Sequence, residues 1–507
     1  MSLSAAFLEW ANTTGLRRAV AIEITLARLS DGQELTIGLT DSAPRRGTWG
    51  DRNWERCILK PPRVEIRAQE LAAGSSLVNY GDLEIAMDSA SRLGPDGDLT
   101  WRDLKRDYRW VGGAVMARVG GPDLAWADWA VIPLGWLGRP SFERGKAHLR
   151  LLGFAAGVAK KKAPGATYSE SDGVPEATVG KVKPCCMGSC LNVTPVLIGE
   201  DPWVYQVHAY GPVQAITVRV GDLAASPTID LANGKFSFAS KPSGQVTADV
   251  EGWVRGGVYL ETAAQMIESV LLEWGGAVGG QIDSAAFAAA ATAAPQVLGV
   301  YWTSALSVQQ ALDGLVQGLP LFWGDDAQGR YTLTPFGEPS GDPVLELYDG
   351  TAGDPPWGAA AAWSVRTDPS RRWYSKVTVY GDRNYTPNSR PDETLSADRQ
   401  EWLKSDYRSR EATGSAPADN PEVDEAEIKT AMADLDDCAA AAAREIAMHG
   451  VERQTVTCEC LYAAMALKKG DVVRVWSEEL ADGAGWLGIV MSVEMNLPSQ
   501  ARVTLWG

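Results

Sequence analysis

Histidine is nearly missing from this chain: three in 507 residues, His148, His208 and His449, each within or beside an apolar segment and none in a recognisable pair with a nucleophile. General-base catalysis is therefore poorly supplied, because imidazole is the side chain that most often moves protons near neutral pH. Basic charge is short as well. Lys and Arg number 47 against 64 Asp and Glu, for a net charge of −17. That balance argues against a protein that grips nucleic acid or an anionic membrane, since both need a basic face. It does not argue against DNA passing by, because a negatively charged lumen keeps DNA from sticking. No apolar run reaches about 18 residues, so no membrane span is expected. The opening MSLSAAFLEW lacks the basic flank and long apolar core of a signal peptide, and the chain is expected to be made and kept in the cytoplasm until something else exports it. There is no phosphate-cradling Gly loop with Lys-Ser/Thr, no His-Glu-x-x-His and no Gly-x-Ser-x-Gly. The acid pairs Asp325-Asp326 and Asp436-Asp437 read as solvated positions in polar loops or on a helix face.

What is present bounds the fold. A chain of 507 residues exceeds one core and predicts three or four domains. Twenty Trp against 8 Phe point either to surfaces that pack on other subunits or to Trp-filled cores. After a short helix over 4–12, AVAIEITLARL and QELTIGLT read as alternating strands joined at Asp31-Gly32, and further short strands with Gly and Asp turns predict an antiparallel barrel or sandwich over 1–160. The segment AAGVAKKKAPGATYSESDG reads as a linker whose Lys160, Lys161 and Lys162 are solvated. A small β domain with a Cys-rich turn is expected over 161–255, with Asn233-Gly234 as a hairpin turn. An α+β insert follows over 256–345. Its helices are capped by Thr262 and by the Ser307/Gln310 capping box.

A second linker is read over 337–362, then a strand KVTVYGDRNY and a polar excursion from Thr386 to Asn420, which is expected to project and to order only against a neighbour through Trp402 and Tyr407. From Pro421 the chain reads as helix, with Asp424, Glu425 and Glu427 in its first turn, and a final antiparallel meander makes 346–507 a second β-barrel-like domain. The fold class is thus mainly β with α+β inserts, with two barrel domains and two smaller middle domains.

Seven cysteines in a reducing compartment point to free thiols or metal ligands rather than a disulfide framework. Three of them, Cys185, Cys186 and Cys190, fall within six positions behind a Pro-bounded turn. With a fourth from Cys458, Cys460 or Cys57 they could hold an iron–sulfur cluster, or zinc as the alternative. The competing reading is that they are small buried hydrophobes, and Cys458 and Cys460, two apart on a strand, share one face.

Several stretches taken together resemble the hub proteins of phage tail baseplates and tips, and of tail-like gene transfer particles. They are Trp126-Ala127-Asp128-Trp129 with Ile132-Pro133-Leu134-Gly135 and Gly138-Arg139-Pro140-Ser141; Gly180-Lys181-Val182-Lys183-Pro184 with Asn192-Val193-Thr194-Pro195-Val196-Leu197; Val377-Thr378-Val379-Tyr380 with Arg383-Asn384-Tyr385-Thr386; and Arg502-Val503-Thr504-Leu505-Trp506-Gly507. The resemblance implies a non-enzymatic virion protein assembled in the host cytoplasm. It would be a homotrimer in which each chain gives two tail-tube-like barrels to a ring that continues the tail tube. The implied partners are a distal tail protein, the C-terminus of a tape measure protein, and a central fibre or tip protein, with DNA passing through the lumen without specific binding. Some tail-tip relatives carry an iron–sulfur cluster, which bears on the cysteines. The runner-up is a tip enzyme that degrades bacterial cell wall.

Overall fold

The computed structural model describes all residues except 1, 2, 14, 43–48, 50, 51, 69–74, 154–156, 159, 327, 328, 352–358, 371, 418, 419, 481–484, 498 and 499. Parts of both expected linkers thus lie outside the described residues. The chain is mostly β and multidomain, as its alternating short strands predict.

The first barrel starts from the hairpin Ala19–Arg28 and Glu34–Thr40, closed at Gly32, whose φ of +74° is the left-handed conformation such a turn needs. Val20, Ile22, Ile24 and Leu26 alternate into the core, while Ala19 and Ala21 face outward beneath Trp49, Trp54 and Trp129. One part of the Trp excess is therefore an external aromatic cluster, with Trp49 and Trp129 ring centroids 4.8 Å apart and Trp126 half-buried beside them. Two sheets make the barrel, and two bent strands belong to both. Trp54–Arg56 pairs with Glu34–Thr40, and the chain continues as Ile58–Lys60 against Leu83–Ala86. The bend is Cys57, whose N–H donates to Thr40 O at 3.0 Å and whose O accepts from Ala86 N at 2.7 Å. Likewise Lys146–Leu149 pairs with Leu83–Ala86, and Leu151–Leu152 pairs with Ala130–Leu137.

The second barrel is a closed ring of six strands. Its order is Leu345–Tyr348, Ala360–Pro369, Gln454–Cys460, Gln500–Trp506, Trp486–Asn496 and Val472–Trp476, which returns to Leu345–Tyr348. One of these strands, Leu345–Tyr348, lies inside the 337–362 stretch read as a Gly/Pro/Asp linker, and Ala360–Pro369 begins at its end. Leu347, fully buried, is the residue that seats the first of them. The barrels are not separate bodies. Arg63–Ala68 pairs antiparallel with Trp486–Asn496, the same sheet runs on through Ser75–Tyr80 to Leu321–Asp325, and one apolar cluster spans Ile22, Leu83, Val473 and Leu505.

Between the barrels, helices Ala263–Val270, Ser284–Ala293 and Val308–Val316 pack into a second core; Thr262 precedes the first, its N–H donating to Gln265 Oε1 at 3.1 Å, and the Ser307/Gln310 capping box forms as expected. The first linker does bury side chains: Val158, Ala163 and Tyr168 are inside, while Lys160, Lys161 and Lys162 stay exposed.

Two expectations for the C-terminal third are corrected. Asp424–Lys429 is a strand, not the first turn of a helix: it pairs parallel with Tyr374–Gly381 and turns Ile428 inward while its acids face solvent. The helix is Leu435–His449, capped by Asp434, with Asp436 and Asp437 at the dipole's positive end. The polar excursion does not project. It forms helix Ala397–Lys404 and strand Arg408–Thr413 and packs on its own chain, with Trp402 buried and its Nε1–H donating to Asp382 at 3.1 Å. Hydrogen bonds in place of apolar area hold it there, which is why its composition reads as disorder.

Candidate functional site

The cysteine-rich stretch forms a strand, Cys185–Val193, where a turn was expected. It lies at the centre of the middle region and changes partner midway. Cys185 to Gly188 pair with Trp302 to Gly299, and from Ser189 onward the strand pairs with Val246–Arg255. The change happens at Gly188, with φ of +68°. An added Cβ there would lie 1.8 Å from Leu298 O, so the position admits only glycine. Leu298 O accepts from Ser189 N at 2.9 Å and holds the kink.

Side chains on this strand go to two different cores. Cys185 and Met187 enter the helical core, whereas Cys186, Cys190 and Val193 enter a third cluster with Val207, Val218 and Phe236. Cys458 and Cys460 do share a face, and it is the inside of the second barrel, in the cluster that also holds Cys57. Cys438 lies on the buried face of the helix Leu435–His449 and enters the helical core. The expected ligands Cys185, Cys186, Cys190, Cys458 and Cys460 are thus distributed over three separate apolar clusters. Among the described residues no group of three or more His, Cys, Asp or Glu side chains is arranged to hold a metal ion. Burial pushes the Cys185, Cys186 and Cys458 thiols up and Cys460 up to about 12. This donor set, dispersed over three cores, does not fit a four-thiolate cluster.

His208 is the polar partner that the cysteine spacing does not announce. It is fully buried, its Nδ1 accepts the backbone N–H of Cys186 at 3.1 Å, and its ring lies against Trp253 and Tyr210. The sequence signal is its place in the largely apolar segment WVYQVHAY, of which the strand takes only Trp203–Gln206, so that His208 lies just beyond it. Desolvation lowers His208 to about 3 and His449 to about 4, and Arg372 and Arg453 add to the effect at His449. His148 is at the surface, 3.8 Å from Glu143. Among the described residues none of the three imidazoles hydrogen-bonds a hydroxyl or a thiol.

A second polar locus joins three parts of the chain. Asp325, read as solvated, is fully buried, and it faces Lys469, whose ammonium is lowered to about 8 by burial against the opposing pull of Asp325 and Asp326. A cavity of about 80 Å³ between them is lined by Ile66, Thr332, Thr334 and Met465. Arg330 bridges Asp283 and Asp326 at 2.8 Å each. The locus is a joint between the insert and both barrels. Asp436 and Asp437 keep the helix-face reading.

No protein-family model matches the chain, and no curated protein sequence matches it. Solved structures that match the chain include the tail protein from Neisseria meningitidis MC58, 11% identical over 97% of this chain and 96% of that one, with a TM-score of 0.39. They also include a chain of the virion of a native gene transfer agent particle, 12% identical over 66% of this chain and 86% of that one, with a TM-score of 0.44. A third is the 43 kDa tail protein of prophage MuSo2 from Shewanella oneidensis, 11% identical over 95% and 97%, with a TM-score of 0.35.

Proposed function

We propose that the chain is a structural hub of a phage-type tail tip or baseplate, located in the virion, whose two barrels form part of a ring continuing the tail tube. The observation that carries this reading is the joining of the barrels. Arg63–Ala68 of the first region is hydrogen-bonded in register to Trp486–Asn496 of the second, which supports treating the two barrels as one block. A block of two barrels repeated three times supplies six positions, as a sixfold tube above it requires, and closed symmetry is the usual outcome for such repeats. The net charge of −17 supports a lumen through which DNA slides without being held. The middle region would then carry the contacts to distal tail, tape measure and tip or fibre proteins. The test is a reconstruction of the assembled particle together with the mass of the purified oligomer. Three copies in a ring with both barrels facing the axis is the expected result. Six copies, a single copy, or a continuous belt of Arg and Lys on the axis overturns it.

A further inference from the structure

Among the described residues, the positions other than glycine that hold a left-handed backbone are Asn192 at φ 55°, Asp222 at φ 70° and Asp382 at φ 47°. Such a conformation is strained for a residue with a side chain and persists where the surroundings fix it, so it collects at clamps and switches. All three spend their side chains on one segment, 384–408. Asn192 donates to Asn384 Oδ1 and Thr386 O, Asp222 accepts from Asn388 Nδ2 at 2.7 Å and from the Asp392 N–H at 3.4 Å, and Asp382 accepts from Trp402 Nε1 and pairs with Arg408. The segment is a long loop between adjacent strands, and Gly381 faces Arg408 in register, so its two ends meet. Trp402 and Leu403 are buried, yet neither belongs to the apolar clusters of the fold.

What the loop covers is strand edge. Strand Cys185–Val193 pairs with Gly299–Trp302 as far as Gly188, and beyond that point the loop takes the neighbour's place. Leu191 makes a parallel bridge with Asn384, and Leu191 O accepts from Tyr385 N at 3.3 Å. The Tyr385 hydroxyl accepts from Tyr301 N at 3.1 Å and donates to Gly299 O at 3.0 Å. These backbone groups are the ones with which an extended chain pairs when it adds to a sheet. We infer that residues 384–408 are a displaceable strap over a docking site for an extended, basic segment of a partner protein. The segment runs parallel to residues 189–193 and supplies an amide side chain for Asn192 and an aromatic hydroxyl between Gly299 O and Tyr301 N, as the strap does. It carries Lys or Arg opposite Asp222, because a cation satisfies that carboxylate better than the two neutral donors of the strap. This goes beyond the hub reading and stands without it.

The test uses the full chain and a fluorescent peptide with the sequence of residues 382–392 bearing Asn388→Arg. In hydrogen exchange followed by mass spectrometry, amides of 384–404 should exchange as one unit, at least about tenfold faster than those of Tyr374–Gly381. Saturating peptide should speed the strap's exchange further. Asp222→Asn keeps an acceptor and removes the charge, so it should weaken peptide binding about tenfold while strap exchange without peptide stays within about twofold of the parent. The inference is overturned if the strap exchanges as slowly as Tyr374–Gly381, or if a scrambled peptide binds equally well. It is also overturned if the peptide does not bind, if it binds without changing strap exchange, or if Asp222→Asn leaves its affinity unchanged.

Discussion

The backbone N–H of Cys186 donates to Nδ1 of His208 at 3.1 Å, inside the fold. An imidazole that accepts at Nδ1 must carry its proton on Nε2, so this contact selects one neutral tautomer and disfavours the cation.

A pH dependence follows. His208 at about 3 and His449 at about 4 both lie below the ordinary histidine value near 6.5, so the unfolded chain takes up protons first as the pH falls. Their contribution to stability is complete above about pH 6.5 and is lost progressively below it, by about 2 kcal/mol for each histidine between about pH 7 and about pH 5. The groups facing His449 are Glu445 on its own helix, Arg372, Arg453 and Tyr374. Denaturant midpoints at the two pH values should fall less in His449→Phe and His208→Asn than in the parent. An equal fall in all three proteins would remove the histidines from the account.

Gly188→Ala should be severe. The new methyl meets Leu298 O at 1.8 Å and the residue must hold a φ of +68°, so a loss of about 3 kcal/mol or more is expected. Gly145→Ala is the control. It has a similar φ of +79° with open space around it, and should cost about 1 kcal/mol by urea unfolding. Equal losses at the two sites would show that the kink is not sterically fixed.

Lys469→Met should leave Asp325 buried without its counter-charge and cost about 3–5 kcal/mol, whereas Lys469→Met with Asp325→Leu should recover most of that loss. Thermal unfolding of the single and double variants checks this. A double variant no better than the single would mean that the two charges are not energetically coupled.

The polar excursion should be released by one substitution on the domain it docks against. Asn192, itself in a left-handed conformation at φ 55°, donates to Asn384 Oδ1 at 2.8 Å and to Thr386 O at 2.7 Å, and Asn388 Nδ2 donates to Asp222 at 2.7 Å nearby. Asn192→Ala removes both of its bonds, worth about 2 kcal/mol together. Limited proteolysis should then cut several-fold faster between Thr386 and Ala416. An unchanged cleavage rate would show that other contacts hold the segment.

Local chemistry was legible in the sequence, and long-range chemistry was not. The hairpin at Gly32 and the caps at Thr262 and Ser307 were readable because their partners lie within a few residues. Asp424–Lys429 misleads because its acids fit a helix N-terminus equally well. What makes it a strand is the open edge of Tyr374–Gly381, far back in the chain. Leu345–Tyr348 misleads in the same way, since the Gly, Pro and Asp around it hide a strand whose neighbours at Val472–Trp476 are remote. At the cysteines, spacing predicted convergence. Neighbours on a strand point to opposite faces, so Cys185 enters a different core from Cys186 and Cys190.

The pairing of Arg63–Ala68 with Trp486–Asn496 also governs when the molecule can form. A ribosome finishes the first barrel's own strands early, but the edge that Arg63–Ala68 presents stays open until residues near the other end of the sequence emerge. Such distant pairings make folding slow, and an unpaired edge held open during synthesis is a site for wrong association. Arg63 and Glu65 on this strand put charge along that edge, and Arg63 later binds Glu494 at 2.7 Å. The same side chains that fasten the finished sheet therefore protect the nascent chain from pairing with its neighbours on a polysome.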